Sequence, residues 1–259
     1  MRLLQLSDPH LLADPTGRYR DRQPLARLEL ALRQTGGDPY NLLLISGDLC
    51  QDETWQGYVR LRELLAPVDV PVALLPGNHD HPALLRAALG RQAVIAPGVI
   101  EMEGCRLVLL DSHRPGCVGG WIGPRQRAWL VGQLALAPTT PTLVAVHHPP
   151  VPIGDAGMDA IGLHDGLALL AVLREVPGVR AVLFGHVHQH WQGRLPDRPA
   201  ELEPVALLGC PSTLCAFGPV QPCPLGRAAD PGGRWLQLDA DGRLQQRLLR
   251  WHGVDGTAP

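Results

Sequence analysis

Five apolar runs of this chain each end in a short polar motif that contains Asp, Asn or His. The runs cover residues 2–6, 41–45, 70–75, 142–146 and 179–184. The motifs that follow them are Asp8-Pro9-His10, Gly47-Asp48, Gly77-Asn78-His79-Asp80, His147-His148-Pro149 and Gly185-His186-Val187-His188. Short apolar runs are typical of buried strands, and ligand sites of α/β sheets lie beyond the carboxyl ends of such strands. The pattern therefore predicts that five separate segments converge on one site.

The stretches between these runs have the period of amphipathic helices. Residues 24–34 place Leu25, Leu28 and Leu32 at helical spacing, and residues 54–66, 82–89, 124–135 and 166–175 also suit helices. Further strands are predicted at 106–110, 205–208, 234–239 and 243–249, with a hairpin turn at residues 239–242. Strands that alternate with helices predict a layered α/β domain. The Pro- and Gly-rich residues 209–233 are expected to form an ordered irregular loop or a cover over a site.

The length of 259 residues fits one large domain, or two by the loose rule of about 150 residues per domain. No internal repeat divides the chain. We therefore interpret residues 1–250 as one domain and residues 251–259 as a flexible tail.

The composition excludes several classes of function. The net charge is −2 and all 23 basic residues are arginine, so the charge indicates neither a nucleic-acid partner nor an anionic membrane surface. A chain without lysine cannot form a Schiff base or a Walker-type phosphate loop. The six cysteines form no Cys-x-x-Cys pair, which favours reduced cysteines and a cytoplasmic location. Prolines interrupt the long uncharged stretches at 128–146 and 204–226, so no membrane span is expected.

The residue types of the motifs suit divalent transition metals. Carboxylates, an amide oxygen and neutral imidazoles are ligands for Mn, Fe or Zn, whereas Mg and Ca prefer oxygen ligands alone. Seven candidate ligands are too many for one catalytic ion, and they suit two ions ~3.5–4 Å apart that share a bridging carboxylate. If the motifs are extended, Asp8 and His10 point to the same side, as do His186 and His188. Glycines that precede three of the candidate ligands allow close approach of the backbone.

Each motif alone also has an ordinary structural explanation. Asp8-Pro9-His10 can be a turn, and His147-His148 can be a strand end with one surface histidine. The order of the motifs and their shared position after strands favour a site, and six of the eleven histidines fall within them. Four other histidines are interpreted as surface groups or as groups that support a ligand. They are His81, His113, His164 and His190.

In this order, the five motifs resemble the signature of the calcineurin-like metallophosphoesterase superfamily. They extend from residue 8 to residue 188, which is most of the chain. The resemblance implies an α/β fold, a four-layer αββα sandwich that carries a dinuclear metal centre.

A narrower resemblance, to the bacterial class III 3′,5′-cyclic nucleotide phosphodiesterases, covers nearly the whole length. It rests on residues 5–11, 47–52, 75–80, 185–189, 211–213, 233–236 and 241–244, together with Phe217. This resemblance implies hydrolysis of cyclic AMP to AMP with two divalent ions, iron or manganese. Two segments depart from the family. Tyr19-Arg20-Asp21-Arg22 stands where relatives carry Gly-x-Asn-Thr, and Leu214-Cys215-Ala216 replaces Cys-Val-Gln, which bears on substrate choice and not on metal chemistry.

Carried over motif by motif, the resemblance implies two sets of ligands and one bridge. One ion would be held by Asp8, His10 and His188. The other would be held by Asn78, His147 and His186, with Asp48 between the two ions. Of the two adjacent histidines, His147 is the predicted ligand and His148 is not. The residues expected to contact the substrate are His10, Asp48, Asn78, His79 and His188.

The implied reaction is in-line attack of a metal-bridging hydroxide on phosphorus. His79 is the predicted catalytic residue, which would protonate the leaving ribose oxygen. Asp80 or Asp52 would orient His79, and the two stay open as alternatives. The expected partner is a small cyclic nucleotide, with cyclic GMP open beside cyclic AMP, and the oligomeric state is left open. The alternatives are a phosphodiesterase that acts on another small diester, such as a glycerophosphodiester, and an inactive scaffold.

Overall fold

Strands and helices alternate along the chain. A computed structural model describes residues 1–37 and 39–251. In chain order, the elements are β1 (Arg2–Leu6), α1 (Pro24–Gln34), a 3-10 turn (Thr35–Gly37), β2 (Leu42–Ile45), α2 (Trp55–Leu65), β3 (Val72–Leu74), α3 (Pro82–Leu89), β4 (Val94–Ile95), β5 (Gly98–Met102), β6 (Cys105–Leu109), α4 (Gly123–Leu136), β7 (Thr142–Ala145), α5 (Ala156–Asp159), α6 (Gly166–Arg174), β8 (Val179–Phe184), β9 (Trp191–Arg194), β10 (Ala206–Gly209), β11 (Gly232–Leu238) and β12 (Leu244–Arg250).

The strands form two six-stranded sheets. The order of the first sheet is β12-β11-β1-β2-β3-β4, in which β1 to β4 are parallel and β11 and β12 are antiparallel to their neighbours. The order of the second sheet is β5-β6-β7-β8-β10-β9, with a parallel centre from β6 to β10 and an antiparallel strand at each edge. Both sheets therefore have a parallel centre, as the runs of apolar residues indicate.

The two sheets pack face to face, and helices cover their outer faces. Leu3 and Leu44 of the first sheet lie in the same buried cluster as Leu107 and Leu183 of the second. The neighbouring positions point outward, so that Leu4 packs against the helical layer instead. Helices α1, α2 and α3 contribute to the outer core of the first sheet, and α4 and α6 to that of the second. The predicted four-layer αββα sandwich is confirmed.

Local sequence signals account for where the helices begin. Proline occupies the first turn of α1, α3 and α4, where its missing N–H has no helical partner in any case. At α2, the Thr54 side chain accepts a hydrogen bond from the N–H of Gly57 at 3.1 Å. The start of α4 is held from a distance, because the Asp165 carboxylate accepts from the N–H groups of Ile122 and Gly123.

Several elements differ from the sequence-based expectation. Strands β4, β5 and β9 and the short helix α5 are absent from the predicted set. Residues 210–231 contain no strand or helix, as predicted. In their first part, Cys215 and Phe217 contact His188 of the site described below. Trp251, placed in the predicted tail, is 2% exposed and packs in the outer core of the first sheet, while residues 252–259 lie outside the described residues. Within the described chain, no helix combines the length and the apolar composition that crossing a membrane requires.

Candidate metal centre and active site

The five polar motifs meet at the carboxyl ends of β1, β2 and β3 in the first sheet and of β7 and β8 in the second. Their buried side chains form two groups, and within each group the potential ligand atoms lie within 4.8 Å of one another. The first group consists of Asp8, His10, Asp48 and His188. The second consists of His147, His148 and His186. The predicted convergence of separate segments on one site is thus present in the fold.

Asp48 lies between the two groups. Its Oδ1 is 3.4 Å from His147 Nε2, and its Oδ2 is 3.8 Å from His10 Nε2. In the first group, His188 Nε2 is 3.4 Å from Asp8 Oδ1 and 3.1 Å from His10 Nε2. One carboxylate thus offers an oxygen to each group, which is the arrangement expected of a bridging ligand.

Asn78 joins the second group through its amide oxygen. Asn78 Oδ1 is 3.3 Å from His147 Nε2 and 3.0 Å from His186 Nδ1. The other ring nitrogen of His186, Nε2, is buried and has no hydrogen-bond partner among the described residues. Nδ1 of His186 and Nε2 of His147 thus face one amide oxygen, and this convergence of nitrogen and oxygen donors fits a metal site.

In three of the histidines, the ring nitrogen Nδ1 has a hydrogen-bond acceptor at short distance. His10 Nδ1 lies 2.7 Å from Gln51 Oε1, His147 Nδ1 lies 2.8 Å from the carbonyl oxygen of Ser46, and His188 Nδ1 lies 3.1 Å from that of Cys215. Because a carbonyl oxygen only accepts, each Nδ1 carries a proton and donates it. In each ring Nε2 then remains to bind a proton or a cation among the carboxylate and amide oxygens. The donor set therefore fits divalent metal ions.

The backbone at the ligand positions is left-handed and not extended. Asp8, His10, Asp48, His186 and His188 have φ angles between 49° and 67°. Asp8 and His10 were expected to point to one side because side chains alternate along an extended segment. The two side chains do converge, but the segment is not extended, so the reason for the expectation is wrong. Both side chains reach the same group because each residue turns the chain, and non-glycine residues held in this region are frequent at functional sites.

Two glycines permit the close approach of these segments. Gly47 has φ +101°, and a Cβ there would lie 2.2 Å from His147 Nδ1. A Cβ at Gly77 would lie 2.2 Å from Asp48 Oδ1. Both distances are far below van der Waals contact, so any other residue would push a ligand out of place. The predicted role of glycine in close backbone approach is confirmed at both positions.

The two carboxylates determine the charge of the nearest imidazoles. Burial lowers the pKa of His147, but Asp48 outweighs burial and raises that pKa to about 9. Asp8 has the same effect at His188 and raises its pKa to about 10. Burial prevails at His10, where the pKa falls to about 4. Burial also raises the pKa of both carboxyls, yet the histidines hold that of Asp8 below and that of Asp48 well below the ordinary value. The site thus favours cations beside its carboxylates.

The sequence pattern of the calcineurin-like phosphoesterases matches residues 1–190, which include all five motifs. The chain belongs to the calcineurin-like phosphoesterase family.

Similar proteins cover nearly the whole chain. A probable cyclic nucleotide phosphodiesterase of Synechococcus sp. (strain WH7803) is 52% identical over 99% of both chains. A 3′,5′-cyclic adenosine monophosphate phosphodiesterase of Pseudomonas aeruginosa is 36% identical over 96% of this chain and 89% of its own. Among solved structures, a dimetal phosphatase from Danio rerio has a TM-score of 0.65 at 14% identity and covers 97% of this chain and 99% of its own. That likeness shows the shared fold.

His148 is close to the second group of this calcineurin-like phosphoesterase, but both of its nitrogens are occupied. Nδ1 is 2.8 Å from the Ser112 hydroxyl, and Nε2 is 2.9 Å from the carbonyl oxygen of Val118. A ring whose two nitrogens are bound to protein has none left for a metal ion. His147, whose Nε2 faces Asp48 and Asn78, remains the better candidate of the pair.

His79 is held by Gln51 and by the Asp48 carboxylate. The N–H of His79 donates to Asp48 Oδ1 at 3.0 Å, and His79 Nδ1 is 3.2 Å from Gln51 Nε2. The expectation that Asp80 or Asp52 orients the ring is wrong. Asp80 accepts hydrogen bonds from the N–H groups of Leu49, Cys50 and Gly77 and from the Tyr58 hydroxyl. Asp52 accepts from the N–H of Ala13 and from Thr54.

Four of the five other histidines, those expected to be surface or supporting groups, lie outside both groups, and His252 lies outside the described residues. His81 caps α3, and His164 packs against Gly119. His113 Nδ1 donates to the carbonyl oxygen of Gly77 at 2.9 Å, which places His113 behind the loop that carries Asn78. His190 is buried, and its Nδ1 accepts a hydrogen bond from Arg234 at 2.9 Å. His113 therefore supports the Asn78 loop of the site from behind.

Sequence reasoning missed the groups that hold the ligands in place. Gln51 and the carbonyl oxygens of Ser46 and Cys215 select the ring nitrogen that each ligand offers. Main-chain carbonyls leave no trace in residue types. Gln51 stands within the 47–52 motif, three residues after Asp48, so its position was the available signal.

Proposed function

We propose that this chain is a dinuclear, metal-dependent phosphodiesterase that hydrolyses 3′,5′-cyclic AMP to AMP. The observation that carries the metal chemistry is the Asp48 carboxylate, which faces two groups of histidine nitrogens at 3.4 and 3.8 Å. The choice of substrate is supported by the names of similar proteins. Several of them are called 3′,5′-cyclic adenosine monophosphate phosphodiesterase and match 96% of this chain.

Seven residues are proposed to hold two ions, with iron or manganese suited to the mixed nitrogen and oxygen donors. One ion would have Asp8, His10 and His188, the other would have Asn78, His147 and His186, and Asp48 would bridge them. When bound, two such ions neutralise the charge of a phosphodiester and lower the pKa of a coordinated water from 15.7 toward ~7. The distances from Asp48 and Asn78 to His147 support this division.

The other steps are assigned to residues of the chain itself. His79 is proposed to contact the substrate and to serve the leaving ribose oxygen, with its backbone held by the Asp48 carboxylate. Four ligand residues form the rest of the proposed contact surface for the phosphate. They are His10, Asp48, Asn78 and His188. All four of these residues lie on short loops that directly follow strands, so the phosphate would meet groups anchored by the sheets.

A glycerophosphodiester is the second candidate substrate, because the same metal ligands would serve any small diester. An inactive scaffold is disfavoured, since each of the seven predicted ligands is present and turned toward a common site. The net charge of −2 favours a small-molecule partner over nucleic acid. A cytoplasmic location is proposed on the six free cysteines.

The test is turnover by protein reconstituted with Mn or Fe. Cyclic AMP, cyclic GMP, a glycerophosphodiester and linear DNA are compared by kcat/KM, with metal content measured on the same samples. We expect about two ions per chain and the highest kcat/KM for a cyclic nucleotide. Full activity of the metal-free protein would end the proposal. If the glycerophosphodiester is turned over efficiently and cyclic AMP is inert, the proposed metal chemistry stands and the proposed substrate is wrong.

A further inference from the structure

Gln51 lies between the rings of His10 and His79 and contacts both. His10 Nδ1 is 2.7 Å from Gln51 Oε1, and Gln51 Nε2 is 3.2 Å from His79 Nδ1. The two rings are 5.2 Å apart and meet at 70°. One side-chain amide therefore joins a proposed metal ligand to the proposed catalytic residue.

The direction of both hydrogen bonds follows from His10. Its Nε2 lies 3.1 Å from His188 Nε2 and 3.8 Å from Asp48 Oδ2, inside the first group of ligand atoms. A nitrogen that binds a cation there has no proton, so Nδ1–H of His10 donates to Gln51 Oε1. The amide is then oriented with its NH₂ toward His79, and Gln51 Nε2 donates to His79 Nδ1.

We propose that Gln51 is a positioning residue that holds His79 as the tautomer with its proton on Nε2. An imidazole whose Nδ1 accepts a hydrogen bond carries its proton on Nε2. Nε2–H is a donor, and the phosphate and leaving oxygens of a diester are acceptors. Gln51 thereby makes His79 a hydrogen-bond donor to these oxygens, a role that a neutral imidazole fills without giving up its proton. This rests on the proposed function only in that His79 contacts a phosphodiester.

The two neighbouring carboxylates would have the opposite effect on His79. A carboxylate accepts, so it would require the proton of the neutral ring on Nδ1 and leave a lone pair on Nε2. Asp80 is kept away from this role because its oxygens accept from Gly77 N at 2.8 Å, Leu49 N at 3.0 Å and the Tyr58 hydroxyl at 3.0 Å. The arrangement thus reserves Nδ1 of His79 for an amide donor.

The informative substitution is Gln51→Glu. A carboxylate still accepts from Nδ1–H of His10, so the contact to the metal ligand survives. At His79 the donor becomes an acceptor, and the proton of the neutral ring must move from Nε2 to Nδ1, away from the substrate. We expect unchanged metal content and a fall in kcat of about 10- to 100-fold, the usual cost of losing an orienting partner. Gln245→Glu on exposed β12 is the control for added charge and should change neither quantity.

A double-mutant cycle separates this role from a general effect of charge or folding. In a His79→Ala background, Gln51→Glu should alter kcat by less than about twofold, because its target is gone. An equal loss in both backgrounds, or no loss in the parent, would overturn the proposal. The assay uses bis(4-nitrophenyl) phosphate beside cyclic AMP. Failure of cyclic AMP alone would count against the proposed substrate and not against Gln51.

A second feature lies beside His10 and His188 and concerns the part of the substrate beyond the phosphate. Residues 19–22 form a tight turn, in which the N–H of Tyr19 donates to Arg22 O at 2.9 Å and the N–H of Arg22 donates to Tyr19 O at 3.0 Å. Arg20 and Asp21 have φ angles of +50° and +60°. Both central residues are thus left-handed, as in the turns that usually carry Asn or Gly. The turn presents an exposed Arg20 beside the site.

Flat groups form a continuous wall from this turn to the proposed metal ligands. The Phe217 ring is stacked on His188, with centroids 4.2 Å apart and planes at 3°. The Arg20 guanidinium lies 5.0 Å from the Phe217 centroid and 5.6 Å from that of Tyr19. The Tyr19 ring is 5.2 Å from that of His10. The wall therefore begins at His188 and His10, two proposed ligands of the first group. A base that is joined to the phosphate through one ribose is within reach of this wall.

We infer that Arg20 and Phe217 form a subsite for the planar base of a nucleotide. Guanidinium and aromatic faces stack on bases with little preference among them, and an exposed Arg20 can also meet the polar edge of a base. A glycerol-type diester has no planar group to place there. This inference deepens the proposed function, because it depends on a nucleotide as substrate.

The test compares two inhibitors of bis(4-nitrophenyl) phosphate hydrolysis, AMP and ribose 5-phosphate, so that cyclic AMP turnover is not required. Arg20→Ala should raise the inhibition constant of AMP by roughly 5- to 100-fold, the range of one stacked base, and leave that of ribose 5-phosphate within about twofold. Arg33→Ala, an exposed arginine of α1, should change neither. Equal losses for both inhibitors, no loss, or equal affinity of the unchanged protein for both would overturn the subsite.

Discussion

Asp48 offers one carboxylate oxygen to each group of histidines, so its removal should affect both proposed ions. We expect Asp48→Ala to reduce metal content toward zero, whereas His186→Ala should weaken mainly one ion. Elemental analysis after Mn reconstitution measures both. The matched control is Asp14→Ala, an exposed aspartate whose contacts are local, which should keep full occupancy. Retention of both ions in Asp48→Ala would contradict the bridging role.

Asn78 and His79 are adjacent, yet they should respond differently to substitution. Asn78 Oδ1 lies among the nitrogens of the second group, so Asn78→Ala should lower the occupancy of one ion. His79→Ala should keep both ions and slow turnover by about 10²–10⁴-fold, with a smaller loss when the leaving group is nitrophenolate. Single-turnover rates and metal analysis separate the two results. Loss of metal in His79→Ala would show that this residue is a ligand.

Metal binding should release protons, since the coordinating nitrogens must be unprotonated. The pKa values of His147 and His188 are raised to about 9 and about 10, so both rings carry an extra proton at pH 7. Those of His10 and His186 are lowered to about 4 and about 3, so neither has one to lose. We expect about two protons released per chain at pH 7 and tighter binding as the pH rises. Calorimetry in buffers of different ionisation enthalpy counts them, and a count near zero would refute the assignment.

At the scale of elements, Arg234 of β11 ties the two sheets together near the site. It is fully buried, and its guanidinium donates to the carbonyl oxygens of Gly209 and Trp191, to His190 Nδ1 and to Gln246 Oε1. Arg234→Met should leave these acceptors buried without a donor. The expected loss in the free energy of unfolding is on the order of 3 kcal/mol, measured in urea.

The control for Arg234 is Arg247→Met on the neighbouring strand β12. That guanidinium lies 4.9 Å from the Trp235 centroid on the surface, so its loss should cost about 0.5–1 kcal/mol. Similar losses in the two variants would mean that the buried hydrogen bonds of Arg234 add little to stability.

The elements that sequence reasoning predicted are those with a local cause. Strand β1 and its parallel partners are buried on both faces, so their residues form apolar runs, and α2 begins at a threonine cap. Strand β4 has only two residues, Val94 and Ile95, and exists through pairing with β3. Strand β9 contains Gln192 and Gly193 and is defined by pairing with β10. Pairing with a strand that is distant in sequence produces no hydrophobic periodicity within the strand itself. For this reason the sequence did not indicate these two strands.

For the molecule as a whole, the site depends on the packing of two sheets with their strand ends on one side. Gln5 of β1 illustrates this, because its side-chain amide donates to Ser46 Oγ at 3.0 Å and to the carbonyl oxygen of Phe184 at 3.3 Å, across the two sheets. The sequence allowed prediction of the residues at those strand ends and of the sandwich. It could not show the left-handed backbone of Asp8 or the carbonyl partners, since both arise only when distant segments meet.

The left-handed ligands also imply a trade-off between catalytic activity and stability in this protein. Asp48 has φ +49°, a region in which a Cβ is unfavourable by about 1–2 kcal/mol and glycine is at ease. In metal-free protein, Asp48→Gly should therefore resist urea better than Asp48→Ala, although both lack the ligand. Equal midpoints for the two would show that the surrounding contacts have relaxed the strain. Each of the five left-handed ligands thus keeps a backbone conformation that glycine would adopt with less strain, and glycine cannot replace it because glycine offers no donor atom to a metal ion.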